Sequence, residues 1–263
     1  MKAPQLNICD LHVSYDGHNV LNGVSLTLRP GENLAIVGES GCGKSTLLRA
    51  VMGLLPRSAR TEGSILCCGK ELCGLPEREY NSVRGRVAGM VFQDPEASFC
   101  PVVPIRRQAL EVLYSVRGHR GRDGENEVLS LFSRLGLEDG ARIMASYPYE
   151  LSGGMKQRIS LALSVLGNPP FLLLDEVTSA LDVVNQQRVL EICWELREKF
   201  RTGLLMTTHQ LPLLKKVGGR MAVLKDGVFV EEGPVEQIFA APQHPYTRLL
   251  LSSLSPGKRG ETT

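Results

Sequence analysis

The stretch Gly38–Thr46, GESGCGKST, concentrates the residue types that hold phosphate. It fits G-x-x-x-x-G-K-[ST] through Gly38, Gly43, Lys44 and Ser45, with Glu39, Ser40, Gly41, Cys42 and Thr46 filling it out. Glycines let such a loop turn with its backbone N–H groups inward, a nest for phosphate oxygens. Lys44 adds a point charge toward β- and γ-phosphates, and the Ser45 hydroxyl can ligate Mg²⁺. Cys42 lies beside Lys44 and near the start of the next helix. Both neighbours favour a thiolate, so a reactive thiol that nucleotide protects is expected there.

Other chemistry-bearing residues stand at the ends of apolar runs. Phe171-Leu172-Leu173-Leu174 closes on Asp175 and Glu176, and Leu204-Leu205-Met206-Thr207-Thr208 closes on His209. Carboxylates at the C-terminal end of a strand sit where open α/β sheets bind ligands, and His209 is expected on the same edge as the phosphate loop. Ser152-Gly153-Gly154 opens a helix that runs to about Leu166. Ser152 is a suitable N-cap and the glycines leave backbone N–H groups open. Taken alone, that stretch is a helix cap. Tyr15 closes the first strand, either as an ordinary strand aromatic or as a stacking surface for a base.

The elements that must position these groups follow from periodicity. Leu34-Ala35-Ile36-Val37 reads as a buried strand feeding the phosphate loop, and Ser45 to Met52 as the helix leaving it. Leu6 to Tyr15 and Val20 to Leu28 read as strands joined by a turn over Asp16–Asn19. Gly63 to Gly69 and Val87 to Phe92 are further strands, with Arg57 to Gly63 a polar connection. Helical stretches are expected near Ile105–Val116 and Asn126–Leu135, separated by a flexible basic loop, Gly118–Gly124. Asn185 to Phe200 reads as a helix. Met221–Lys225 and Val228–Glu231 read as strands turned by Asp226-Gly227, with closing helices over Pro234–Ala240 and Tyr246–Leu254. Strands alternating with helices define an α/β protein.

The 263 residues allow one large α/β domain with ample core. Lys and Arg total 30 against 28 for Asp and Glu, a balance that gives no nucleic-acid footprint. No apolar run approaches the ~18 residues of a membrane span. The N-terminus, MKAPQLNICDLHVSY, has no apolar h-region, so no secretory signal is expected. Seven scattered cysteines form no disulfide framework and fit a reducing cytosol. Cys67, Cys68 and Cys73 cluster without a fourth metal ligand nearby, so they read as small strand and turn residues.

Taken in order, GESGCGKST, Gln93, LSGGMKQR, FLLLDE, SALD at Ser179–Asp182 and His209 resemble the ATP-binding subunits of ABC transporters. The resemblance runs from Tyr15 to about Leu254. It implies a P-loop NTPase core sheet with an antiparallel β subdomain and a helical insertion. The single ATP-binding domain would span 1–254, with the insertion at about 94–167 and a polar tail at 255–263. It further implies ATP and Mg²⁺ as ligands. Tyr15 resembles the residue that stacks on adenine, Asp175 the one that supports Mg²⁺ and Glu176 the general base that orients water. His209 resembles the γ-phosphate switch, and Gln93 the residue joining Mg²⁺ to the membrane-subunit contact. Ser152, Gly153 and Gly154 resemble the signature that grips the γ-phosphate on the opposite subunit.

YPYELSGGMKQR, QDPEASFCP at Gln93–Pro101 and IFAAPQHPYTRLLLSSL at Ile238–Leu254 resemble the peptide, opine and nickel importers of that family. There a second ATP-binding subunit, usually a different chain, pairs with the first beneath two permease subunits at the cytoplasmic face of the inner membrane. A substrate-binding protein delivers the cargo. Val177 stands where the family usually has Pro, which bears on the turn leaving the strand, and Met155 replaces the commoner Gln. Many peptide importers carry a longer C-terminal segment with a cysteine cluster, whereas the last cysteine here is Cys193. That difference favours nickel or a metal chelate as cargo, with a dipeptide or oligopeptide as the alternative. The alternative from another class is a soluble, non-transport ABC ATPase, which usually shows a long coiled-coil insertion or a second motif set; a P-loop kinase would lack LSGG.

Overall fold

The computed structural model describes residues 4–119, 121–178 and 183–252; Ser179–Asp182 and the tail at 255–263 lie outside them. β1 (Leu6–Tyr15) and β2 (His18–Leu28) form a hairpin. Its turn is Asp16-Gly17, with φ of 47° and 85°, the two-residue geometry that matches strand twist. The turn is therefore shorter than expected, and His18 and Asn19 belong to β2, opposite Tyr15 and Ser14. β3 (Asn33–Val37) leads to the phosphate loop and α1 (Lys44–Val51) leaves it. β4 (Ala59–Cys67) begins before the expected Gly63 because its polar first half pairs with β1 from Tyr15↔Ala59 onward. That half is exposed and carries no apolar alternation. β5 (Lys70–Glu71), α2 (Glu77–Tyr80) and β6 (Ala88–Val91) follow.

Between β6 and the next strand come α3 (Ile105–Arg117), α4 (Gly121–Arg134), α5 (Gly140–Ala145) and α6 (Gly153–Val165). The expected loop at Gly118–Gly124 is thus helical from Gly121. Gly124 is buried where a Cβ would stand 3.0 Å from Leu113 on α3, and Arg106 reaches across to Glu125 at 2.8 Å. Tertiary packing overrides the low helix propensity of two glycines. β7 (Phe171–Asp175), α7 (Val183–Phe200), β8 (Gly203–Thr207), α8 (Leu211–Val217), β9 (Arg220–Lys225), β10 (Val228–Pro234), α9 (Val235–Ala240) and α10 (Pro245–Ser252) complete the chain.

Two sheets result. One is antiparallel, in the order β2-β1-β4-β5. The other runs β10-β9-β3-β8-β7-β6, parallel except for the β9–β10 hairpin at its edge. Residues of the parallel strands alternate between two cores, as a pleated sheet covered on both faces requires. Leu34, Ile36, Leu173 and Leu205 pack with α1 and the antiparallel sheet. Ala35, Val37, Leu172, Leu174 and Met206 pack against the α3–α6 helices and α8. Each such Leu or Ile contributes about 1.5–3 kcal/mol over exposure, which pins the register of the sheet. Among the described residues no helix is long and apolar enough to cross a membrane.

Candidate functional site

The register of the parallel sheet aligns β7 with β8, pairing Asp175 with Thr207, while β3 pairs with β8 on the other side. The C-terminal ends of β3, β6, β7 and β8 therefore share one edge. The phosphate loop leaves β3 there, Gln93 follows β6, Glu176 follows β7 and His209 follows β8. A cavity of about 160 Å³ opens at this edge, lined by Ser40, Gly41, Lys44, Thr46, Gln93 and Glu176 among others.

Two glycines of the loop are set by close approach. A Cβ at Gly38 would meet the Leu224 carbonyl at 2.3 Å and Cys42 Sγ at 2.8 Å. Gly43 has φ of 109°, and a Cβ there would meet Leu21 at 2.7 Å. Gly43 also caps α1 without a side-chain hydrogen bond, and the first turn, at the positive end of the helix dipole, borders the cavity.

Lys44 is only 5% exposed. Its ammonium donates to the carbonyls of Gly38 and Glu39, both at 2.9 Å, and lies 3.7 Å from Glu176 Oε1. Asp175 is 1% exposed, and its Oδ1 accepts from the Ser45 and Thr207 hydroxyls, each at 2.8 Å. Glu176 Oε2 accepts from Gln93 Nε2 at 3.4 Å and lies 3.1 Å from His209 Nδ1. The Glu176 backbone is left-handed, φ 46°, and its N–H is shared between the Thr207 carbonyl at 3.2 Å and hydroxyl at 3.0 Å. A non-glycine residue in that conformation costs about 1–3 kcal/mol and is held by its surroundings. Val177, in the usual Pro position, buries its side chain in the core on the helical side of the sheet. Asp175, Ser45 and the Gln93 amide form an all-oxygen donor set that suits Mg²⁺.

The structure thus gathers Lys44, Ser45, Gln93, Asp175, Glu176 and His209 through direct contacts. Ser40, Gly41 and Thr46 join them around the cavity. Tyr15 does not line it; its half-buried ring packs on the core beneath the antiparallel sheet. Ser152, Gly153 and Gly154 do not line it either. Ser152 caps α6 by accepting from Met155 N–H at 3.4 Å, and Ser152 and Gly153 face outward, exposed.

The expectation for Cys42 is corrected. Its thiol titrates above the ordinary value, because burial outweighs the lowering by the Lys44 charge and by backbone hydrogen bonds. Loop closure around Gly38 that shields the sulfur is not visible in residue spacing.

Two residues escape a reading of the sequence. Thr207 holds both Asp175 and the Glu176 N–H; its only signal is a hydroxyl in a strand buried on both faces, which must find a partner. Tyr246 donates no motif to the site, yet its hydroxyl accepts the Glu39 N–H at 3.1 Å from far along the chain.

Comparison with known proteins agrees with this geometry. Residues 21–179 match the ABC transporter family, and residues 230–262 match the oligopeptide/dipeptide transporter C-terminal region. The dipeptide transport ATP-binding protein DppD of Bacillus subtilis is 40% identical over 95% of this chain and 76% of its own length. The oligopeptide transport ATP-binding protein OppD of the same organism is 38% identical over 95% of this chain and 71% of its own. A solved dimeric ATP-binding cassette, in a post-hydrolysis state with ADP and Pi, superposes with a TM-score of 0.77 at 26% identity. That match covers 88% of this chain and 98% of the cassette.

The chain belongs to the ATP-binding subunits of the ABC transporters, ATPases whose hydrolysis drives transport. Within that family its C-terminal region assigns it to the oligopeptide and dipeptide importer type.

Proposed function

We propose that this chain binds MgATP at the phosphate loop and hydrolyses it to energise import of a dipeptide or oligopeptide. In this reading 1–254 form one cassette, with a helical part at about 94–167. It pairs with a second ATP-binding subunit beneath two permeases at the cytoplasmic face of the membrane. A substrate-binding protein supplies cargo, and nucleic acid is not a partner. Peptide is preferred to nickel or a metal chelate because residues 230–262 match the oligopeptide/dipeptide C-terminal model without a cysteine cluster, and relatives carry dipeptide and oligopeptide names.

The carrying observation is the convergence of Lys44, Ser45, Gln93 and Glu176 on one cavity, with Ser45 bonded to Asp175. The loop N–H groups and Lys44 hold the phosphates, and Tyr15 meets the adenine. Ser45, Asp175 and Gln93 would hold Mg²⁺, which would supply positive charge against the phosphates. Glu176, aimed by His209 and Gln93, orients a water toward the γ-phosphate and takes its proton. Phosphoryl transfer needs little more than such positioning and charge.

Glu176→Gln in the assembled transporter keeps size and hydrogen bonding but removes the base. It should bind ATP as wild type and hydrolyse it about 10²–10⁴ times more slowly, while Lys44→Ala should lose binding itself. Near-wild-type turnover in Glu176→Gln would exclude the general-base role. Uptake of labelled dipeptide against labelled nickel, in cells with and without the chain, decides the cargo.

A further inference from the structure

The phosphate loop is contacted from outside by the C-terminal segment. The Tyr246 hydroxyl accepts the Glu39 N–H at 3.1 Å, and the Lys44 ammonium donates to the Gly38 carbonyl at 2.9 Å. These two groups are the ends of a single peptide unit, which is therefore clamped from both sides. The Tyr246 ring is buried, with the Lys225 ammonium 5.2 Å from its centroid at the end of β9. The preceding residue of β9, Leu224, presents the carbonyl that abuts Gly38. The turn before α10 is fixed in its own right: Glu231 accepts from the N–H groups of Gln243 at 2.8 Å and His244 at 2.9 Å. Those bonds hold the Glu231 carboxyl below its usual range despite partial burial.

Lys44 cannot keep all of these partners once phosphate arrives. An ammonium has three protons, and here they face two carbonyls and Glu176. Turning toward phosphate oxygens releases at least one carbonyl and leaves the Gly38–Glu39 peptide held mainly through its N–H. We propose that Tyr246 is a positioning residue of the nucleotide site, whose hydroxyl keeps that peptide oriented while Lys44 changes partners. The Gln243–Thr247 segment thereby ties the C-terminal region of the chain to its affinity for ATP. This rests on the phosphate loop being the ATP site.

Tyr246→Phe in the full-length chain removes one oxygen and keeps the ring packing. Titration with a fluorescent ATP analogue should show Kd raised about three- to tenfold, the effect of one lost neutral hydrogen bond. Exchange of the Glu39 amide, followed by mass spectrometry or NMR, should quicken. The melting temperature should fall by no more than a few degrees, the effect of one hydrogen bond lost from the free protein, and kcat of the assembled complex at saturating ATP should stay within about twofold, since the reacting groups are untouched. An unchanged Kd or an unchanged Glu39 exchange would overturn the proposal. Tyr246→Leu, which also removes the ring, reports the packing contribution separately. Lys44→Ala is run in parallel: if it binds ATP normally, the nucleotide-site reading fails, whereas its loss of binding beside an unaffected Tyr246→Phe fails this proposal alone.

Discussion

Burial and charge act on the Cys42 thiol in opposite directions, and burial dominates. The reactive species toward alkylating reagents is the thiolate, so a raised pKa lowers the labelling rate at neutral pH. We predict slow alkylation of Cys42 at pH 7, rising through pH 9, the ordinary thiol value, without reaching a plateau below it. MgATP should slow it further by covering the loop. Cys9, Cys68 and Cys100 are exposed, so the measurement needs peptide-resolved mass spectrometry. A plateau below pH 8 would restore the thiolate that the neighbours Lys44 and α1 favour on spacing alone. The contrast shows what a motif conveys. Residue types such as Lys44, Ser45 and Glu176 announce their chemistry, because few other tasks need them in that order. The burial of each group depends on what the fold packs around it, and residue spacing within the motif does not show that.

At the scale of elements, the strand that leads to Gln93 and the helix that begins at the signature are in backbone contact. A Cβ at Gly89 on β6 would stand 2.3 Å from the Ser164 carbonyl on α6 and 3.2 Å from Leu172 on β7. The obstacle is main chain on a packed helix, so the methyl is accommodated only by moving α6 or bending β6. Gly89→Ala should destabilise the protein by about 1–3 kcal/mol, the cost of overpacking, despite its favourable effect on backbone entropy. Denaturant unfolding checks this, and a change within about 0.5 kcal/mol, the scale of ordinary surface substitutions, would mean the two elements separate freely. Buried elements were legible in advance: β3, β7 and β8 are apolar at nearly every position and admit no other reading. Elements stabilised from elsewhere were not. The exposed half of β4 is held by pairing to β1, and the first turn of α4 by Gly124 against Leu113 and Glu125 with Arg106. Thr207 and Tyr246 escaped for the same reason, since a hydroxyl acquires its role only from the partner the fold brings to it.

At the scale of the molecule, the cavity and the signature do not meet. Lys44, Gln93 and Glu176 line the cavity, while Ser152 and Gly153 stand exposed at the N-terminus of α6. An exposed helix N-terminus is suited to an anion presented by another subunit. Under the proposed pairing with a second ATP-binding subunit each chain donates two half-sites, and the substitution Gly153→Asp separates them. A Cβ at Gly153 meets nothing within 4 Å. A carboxylate in the first turn also favours the helix dipole, so α6 should remain folded. Toward a γ-phosphate brought by the partner, however, the new charge is repulsive. The variant chain alone should bind ATP with wild-type affinity. In the complete transporter its ATPase rate should fall at least about tenfold, the effect of about 1.4 kcal/mol at the transition state. Titrating wild-type chain with its partner ATPase should raise turnover to saturation at one partner per chain, and the variant should show the same binding stoichiometry without the rise. Loss of ATP binding by the isolated Gly153→Asp chain would place the signature in its own site and rule out the shared arrangement.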